Sequence, residues 1–132
     1  MNSGVRNRTD SSRKRRESQS QVSDITRVEL KSSPYDVWHD RAVLHFLTAA
    51  ADRIAYVRQV AHAVKRGGRV IVSTFGPEGP ERCCGLDVVR YDAESLHREF
   101  GIHFPCWEVP QSYTARRLGQ SSSFSIATAV VE

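Results

Sequence analysis

Tyr35-Asp36-Val37-Trp38-His39-Asp40-Arg41-Ala42-Val43-Leu44-His45-Phe46 is the stretch on which the fold turns. Tyr35, Val37 and the ring of Trp38 read as a strand of about five residues, the usual length. Its far end then gathers His39, Asp40, Arg41 and His45 within seven positions. In an open parallel α/β sheet, ligands bind just beyond the carboxyl ends of the strands. Polar groups at that point are either site residues or the solvated rim of the sheet. For Asp40 and Arg41 the plain alternative is a surface ion pair, worth about 1 kcal/mol at most.

Downstream, the pattern changes to a helical one. Ala42, Val43, Phe46 and Leu47 fall at helical spacing, and Ile54, Val57, Val60, Ala61 and Val64 continue an apolar stripe at a period of three to four residues. Lys65-Arg66-Gly67-Gly68 follows, which predicts cations in a last helical turn and a glycine stop. Val70-Ile71-Val72-Ser73-Thr74-Phe75 is then a run rich in β-branched residues, predicting a strand covered on both faces. Strand, amphipathic helix, Gly-Gly and apolar strand make a βαβ unit.

Residues 76–85 (Gly-Pro-Glu-Gly-Pro-Glu-Arg-Cys-Cys-Gly) form a Gly- and Pro-rich loop at the carboxyl end of the second strand, the kind of segment that lines sites. Asp92 is placed to cap a short helix from Ala93 to Phe100, closed by Gly101. Trp107 to Arg116 and Ser122 to Val131 read as two strands joined by Leu118-Gly119-Gln120, an antiparallel hairpin. The expected fold class is therefore α/β, with a mixed sheet: a parallel βαβ core ending in an antiparallel hairpin.

Upstream, Ser32-Ser33-Pro34 breaks the chain, and regular structure is expected from about Val22. Residues 1–21 are polar, and six Arg or Lys side chains against Asp10 and Glu17 account for the whole net charge of +4. Such a segment cannot bury enough apolar surface to order itself, so a disordered basic tail is expected there. The run Arg13-Lys14-Arg15-Arg16 suits an acidic surface. No aromatic residue is interleaved with it to stack on bases, which argues against nucleic acid. Residues 22–132 make one domain.

Several chemistries are absent from the sequence. There is no dinucleotide-binding Gly-x-Gly-x-x-Gly, no phosphate loop and no Gly-x-Ser-x-Gly elbow. Five His and three Cys lack the paired short spacings of a zinc site, so no metal is expected. Three Cys, two of them adjacent at 83 and 84, do not form a disulfide framework. With no apolar run of membrane-spanning length, a cytoplasmic protein away from membranes is expected.

The stretch Tyr35 to Leu47 resembles the region after the fourth strand of class I S-adenosylmethionine-dependent methyltransferases, in one bacterial subgroup. The likeness extends through Tyr56-Val57, Val64 to Phe75, Gly79-Pro80-Glu81-Arg82-Cys83-Cys84-Gly85-Leu86 and Val89-Arg90-Tyr91-Asp92, so that it covers roughly residues 22–131. The resemblance implies a Rossmann-like sheet with an antiparallel last strand and S-adenosylmethionine as cofactor. It implies adenine contacts at Asp24 and Ile25. It places Asp40 and Arg41 in the loop beside the cofactor and His45 toward the substrate. The family's glycine-rich loop and its acidic ribose contact have no counterpart in residues 1–21. The expectation is thus a partial, truncated methyltransferase sheet, impaired in cofactor binding, acting on a small-molecule methyl acceptor. A sheet cut in this way would expose an edge, open to self-association or a protein partner. A second reading of the same features is a non-catalytic protein-binding module that uses the exposed half-sheet and the basic tail.

Overall fold

The computed structural model describes residues 18, 20–32, 34–101, 103, 104, 107, 108, 112–117 and 120–131. The expected disordered tail, apart from Ser18 and residues 20 and 21, lies outside the described residues. So do Cys106 and the Leu118-Gly119 part of the expected turn.

A mixed sheet organises the chain. β1 (Tyr35–Arg41) pairs in parallel with β2 (Val64–Phe75). Between them come a single 3-10 turn (Leu44–Phe46) and α1 (Ala50–Ala63), which completes the βαβ unit. After β2, the Gly/Pro loop folds into a miniature hairpin of β3 (Arg82–Cys83) and β4 (Leu86–Asp87). α2 (Ala93–Phe100) follows. β5 (Trp107–Glu108) and β6 (Ser112–Arg117) both pair with β7 (Gln120–Val130), which also runs antiparallel to β2. The strand order is β1-β2-β7-β5, so the last strand inserts beside β2 and its hairpin mate lies outside it. The parallel core and the terminal antiparallel hairpin are both as expected.

Register assigns the two faces. Trp38 stands opposite Val70, and Asp40 opposite Val72; Val70 and Val72 in turn stand opposite Ala129 and Ala127. Because strand side chains alternate, this row faces one side. There it meets Tyr56, Val57 and Val60 of α1, with Leu96 and Phe100 of α2, in one buried cluster. α2 is anchored by Asp92, whose carboxylate accepts from the Ser95 amide at 2.7 Å in a reciprocal capping box. Arg53 ties α1 to α2 through Glu99 at 2.8 Å.

Three expectations are corrected. β2 is not buried on both faces: Val70 and Val72 are fully buried, but Ile71 is only half-buried, and Val37 opposite Arg69 is 52% exposed. Both described helices pack on the same side, which explains the asymmetry. The helical stripe also differs. α1 buries Tyr56, Val57, Val60 and Ala63, while Ile54 is exposed. The hydroxyl of Tyr56 finds a buried acceptor, which lets an amphipathic ring replace an aliphatic one. Finally, Gly67-Gly68 does not stop the helix. α1 ends at Ala63, and Val64 already has extended backbone. The β1–β2 register jumps from Tyr35↔Val64 to Val37↔Arg69, so extra residues bulge out of β2. Gly67 takes φ +75 in that bulge, and its amide donates to the Val131 carbonyl at 2.7 Å.

Candidate functional site

Asp40 is the centre of the site region, and it points inward. Only 4% exposed, its carboxylate accepts from the amides of Val43 (2.7 Å) and Leu44 (3.0 Å) and from the Tyr56 hydroxyl (2.6 Å). The two amides open the 3-10 turn, whose first N–H groups have no partner within the turn. Tyr56 in turn accepts from the Trp38 indole at 3.1 Å. Burial, and then the Asp40 charge, push the Tyr56 hydroxyl far above its ordinary range, so it stays a neutral donor. The chain Trp38–Tyr56–Asp40 locks the end of β1 to α1 and to the turn. Asp40 and Arg41 do not form the surface pair considered from sequence: Asp40 is buried, and Arg41 is exposed without an ion-pair partner among the described residues.

The backbone at this corner is strained. Ala42 adopts φ +82 directly after β1, a left-handed conformation that costs about 1–2 kcal/mol for a residue with a Cβ. The Ala42 amide donates to the Ser73 carbonyl at 3.2 Å, which pins the corner to β2. Strain of this kind concentrates where a fold must aim side chains at a site.

Along the edge of β1 with which no described strand pairs lies a cleft of about 280 Å³, whose lining includes Ser23, Ile25, Trp38, His39, Asp40, Arg41 and Tyr56. The segment that carries Ile25 is shaped by Asp24. The Asp24 carboxylate accepts from the Thr26 amide (2.9 Å) and hydroxyl (2.7 Å), which holds it below the usual carboxylate range. The same segment is fastened to α1 by Gln59, which donates to the Val28 carbonyl, and by His62 against the Leu30 carbonyl.

The structure therefore brings Ile25, Asp40 and Arg41 to one cleft. Asp24 lies beside it as the turn-former. His45 is placed elsewhere: it is 1% exposed, with its ring centroid 4.4 Å from that of Phe46 and 4.6 Å from that of Phe75. Neither ring nitrogen has a hydrogen-bond partner among the described residues. Burial lowers its pKa, against an opposing pull from the Asp40 charge. Tyr56 and Ser23 are cleft residues that sequence reasoning missed. Nothing in the spacing of Asp40 and Tyr56, sixteen residues apart, signals their contact.

No protein-family model and no curated protein sequence matches the chain. Solved structures do. A 1,6-didemethyltoxoflavin-N1-methyltransferase from Burkholderia thailandensis, solved with 1,6-didemethyltoxoflavin and S-adenosylhomocysteine, superposes at TM-score 0.62 over 81% of this chain, at 18% identity. A possible histamine N-methyltransferase from Thermotoga maritima gives 0.63 over 82%, at 14% identity. A methyltransferase from Methanosarcina mazei gives 0.60 over 85%, at 13% identity. The fold is that of class I S-adenosylmethionine-dependent methyltransferases. This chain spans 48% of the Burkholderia chain and 61% of the Thermotoga chain.

The cleft lies near the lower end of ligand-pocket volumes, about 300 Å³, enough for a nucleoside-sized group. Ile25 and the half-buried Trp38 present apolar surface to the cleft, and His39 and Arg41 present polar groups. The Asp40 carboxylate is occupied by three donors, so its part is to position the wall. Among the described residues, no group of three or more His, Cys, Asp or Glu converges on a metal position. No helix among them is long and apolar enough to cross a membrane.

Proposed function

We propose that this chain serves S-adenosylmethionine-dependent methyl transfer to a small-molecule acceptor and supplies one wall of the cofactor cleft. The observation that carries the reading is the position of the cleft at the carboxyl end of β1, on a fold whose solved representative holds S-adenosylhomocysteine. Ile25, with the turn set by Asp24, is assigned the adenine side. Arg41 is assigned the ribose side, with Asp40 holding the corner. Methyl transfer from a sulfonium needs mostly alignment of donor and acceptor, so no acid or base is assigned.

Among the described residues no strand pairs with the outer edge of β1, so the cleft stands open there. The chain by itself is therefore expected to bind the cofactor weakly, with a Kd on the order of 1 mM, about −4 kcal/mol. Titration with S-adenosylhomocysteine, followed by the indole NMR signal of Trp38, tests this. That signal should shift saturably. No response at Trp38 up to millimolar ligand would overturn the assignment of the cleft. Stoichiometric micromolar binding would overturn the expectation of weak binding.

A further inference from the structure

The hairpin tip carries an adjacent thiol pair that the reading above does not use. Cys83 closes β3, and Cys84-Gly85 forms a two-residue turn with φ +53 and +81, the left-handed pair of a type I′ turn. Cys83 is half-buried and Cys84 exposed. The turn is braced: Arg82 donates to the Gly85 carbonyl at 2.7 Å and meets the Asp87 carboxylate at 3.1 Å. The Val88 amide closes the base on the Glu81 carbonyl at 3.0 Å. At this tip the Sγ atoms stand 3.8 Å apart.

That spacing discriminates between two fates of a dithiol. Adjacent Cα atoms lie about 3.8 Å apart, below the roughly 4.4–6.8 Å of an unstrained disulfide, so oxidation to a disulfide is opposed. Two sulfurs 3.8 Å apart stand close enough that a small rotation of the exposed Cys84 side chain lets both bond one bridging atom. Once one sulfur is bound, the second acts at an effective concentration on the order of millimolar or more. No third His, Cys, Asp or Glu converges on the pair among the described residues. An occupant must therefore be satisfied by two sulfurs and bring its own third substituent.

We propose that Cys83 and Cys84 form a chelating site for trivalent arsenicals. With an arsenoxide, each sulfur forms one bond to arsenic and the As=O bond breaks. The two thiol protons leave with that oxygen as a single water, and nothing is oxidised or reduced. The site stands independently of the methyltransferase reading.

The test uses the full chain, reduced and freed of reductant, with phenylarsine oxide as the probe and intact mass as the readout. Wild type and Cys106→Ser should each take up one equivalent. That adduct should survive excess 2-mercaptoethanol and be removed by 1,2-ethanedithiol. Cys83→Ser and Cys84→Ser should lose it, with circular dichroism confirming that both remain folded. Retention of the adduct in Cys84→Ser, or its removal by the monothiol, would overturn the proposal. So would recovery of a Cys83–Cys84 disulfide from protein handled in air, because the strain argument would then be wrong.

Discussion

Replacing Asp40 with alanine tests the account of the corner most directly. The substitution removes the acceptor of three donors, at 2.6–3.0 Å. Leu44 and Tyr56 are 0% and 1% exposed, so water cannot readily replace the lost partner. Hydrogen bonds to a charged group contribute roughly 1.5–3 kcal/mol each, and a stranded buried donor costs about 1–3 kcal/mol. Losses that share one partner are not additive. We expect about 3–4 kcal/mol in all, a large share of the roughly 5–15 kcal/mol of a typical domain. In a chain of this size that lowers Tm by on the order of 10 °C. Urea unfolding of Asp40→Ala, Tyr56→Phe and the double variant, followed by circular dichroism, measures the effect. Tyr56→Phe should cost about 1–2 kcal/mol, and the double variant should cost less than the sum. A cost for Asp40→Ala under about 0.5 kcal/mol, within the range of ordinary surface substitutions, would refute the claim that this carboxylate holds the corner. Strict additivity would refute the Tyr56 contact.

Three further outcomes follow from particular contacts. His45 has a pKa lowered by burial, so the unfolded chain binds its proton more readily than the folded one. Stability due to it is present above the ordinary value of 6.5 and is lost as pH falls through and below it; thermal melts from pH 8 to 5 should show that slope, and an unchanged slope in His45→Leu would disprove its origin. Gly68→Ala should destabilise by about 2 kcal/mol, an overpacking cost. A Cβ there would stand 2.7 Å from the Lys65 carbonyl oxygen and 2.6 Å from Val64 Cγ1. At Gly67 a Cβ has open space, so Gly67→Ala should cost only the left-handed backbone, about 1 kcal/mol; the reverse ranking in denaturant titrations would contradict the bulge. Arg53→Ala should cost about 1–2 kcal/mol, because it breaks the Glu99 pair and the bonds to the Leu47 and Thr48 carbonyls at 3.1 and 2.7 Å. An effect near zero would show that α1 and α2 are held by apolar packing alone.

The sequence by itself determined the order of the main elements, from the βαβ unit through the Asp92-capped helix to the terminal hairpin, but not the 3-10 turn or the β3–β4 hairpin. The apolar run Val70 to Phe75, the Asp92 cap with Ser95 and the alternating last strand are local signals, and local signals survive in any context. Residues 22–131 also resemble part of class I methyltransferases, and the fold agrees with that resemblance. Tertiary structure decided which face was buried and which polar groups meet. Tyr56 and not Ile54 faces the core because Asp40, sixteen residues away, supplies a buried acceptor. Gly67 serves a bulge, not a helix end, because the β1–β2 register must absorb extra residues. His45 lies inside rather than at the cleft because the turn that carries it is folded back by the Asp40 carboxylate. Helix and strand periodicities depend on near neighbours along the chain, whereas a site is assembled by contacts between residues far apart in it.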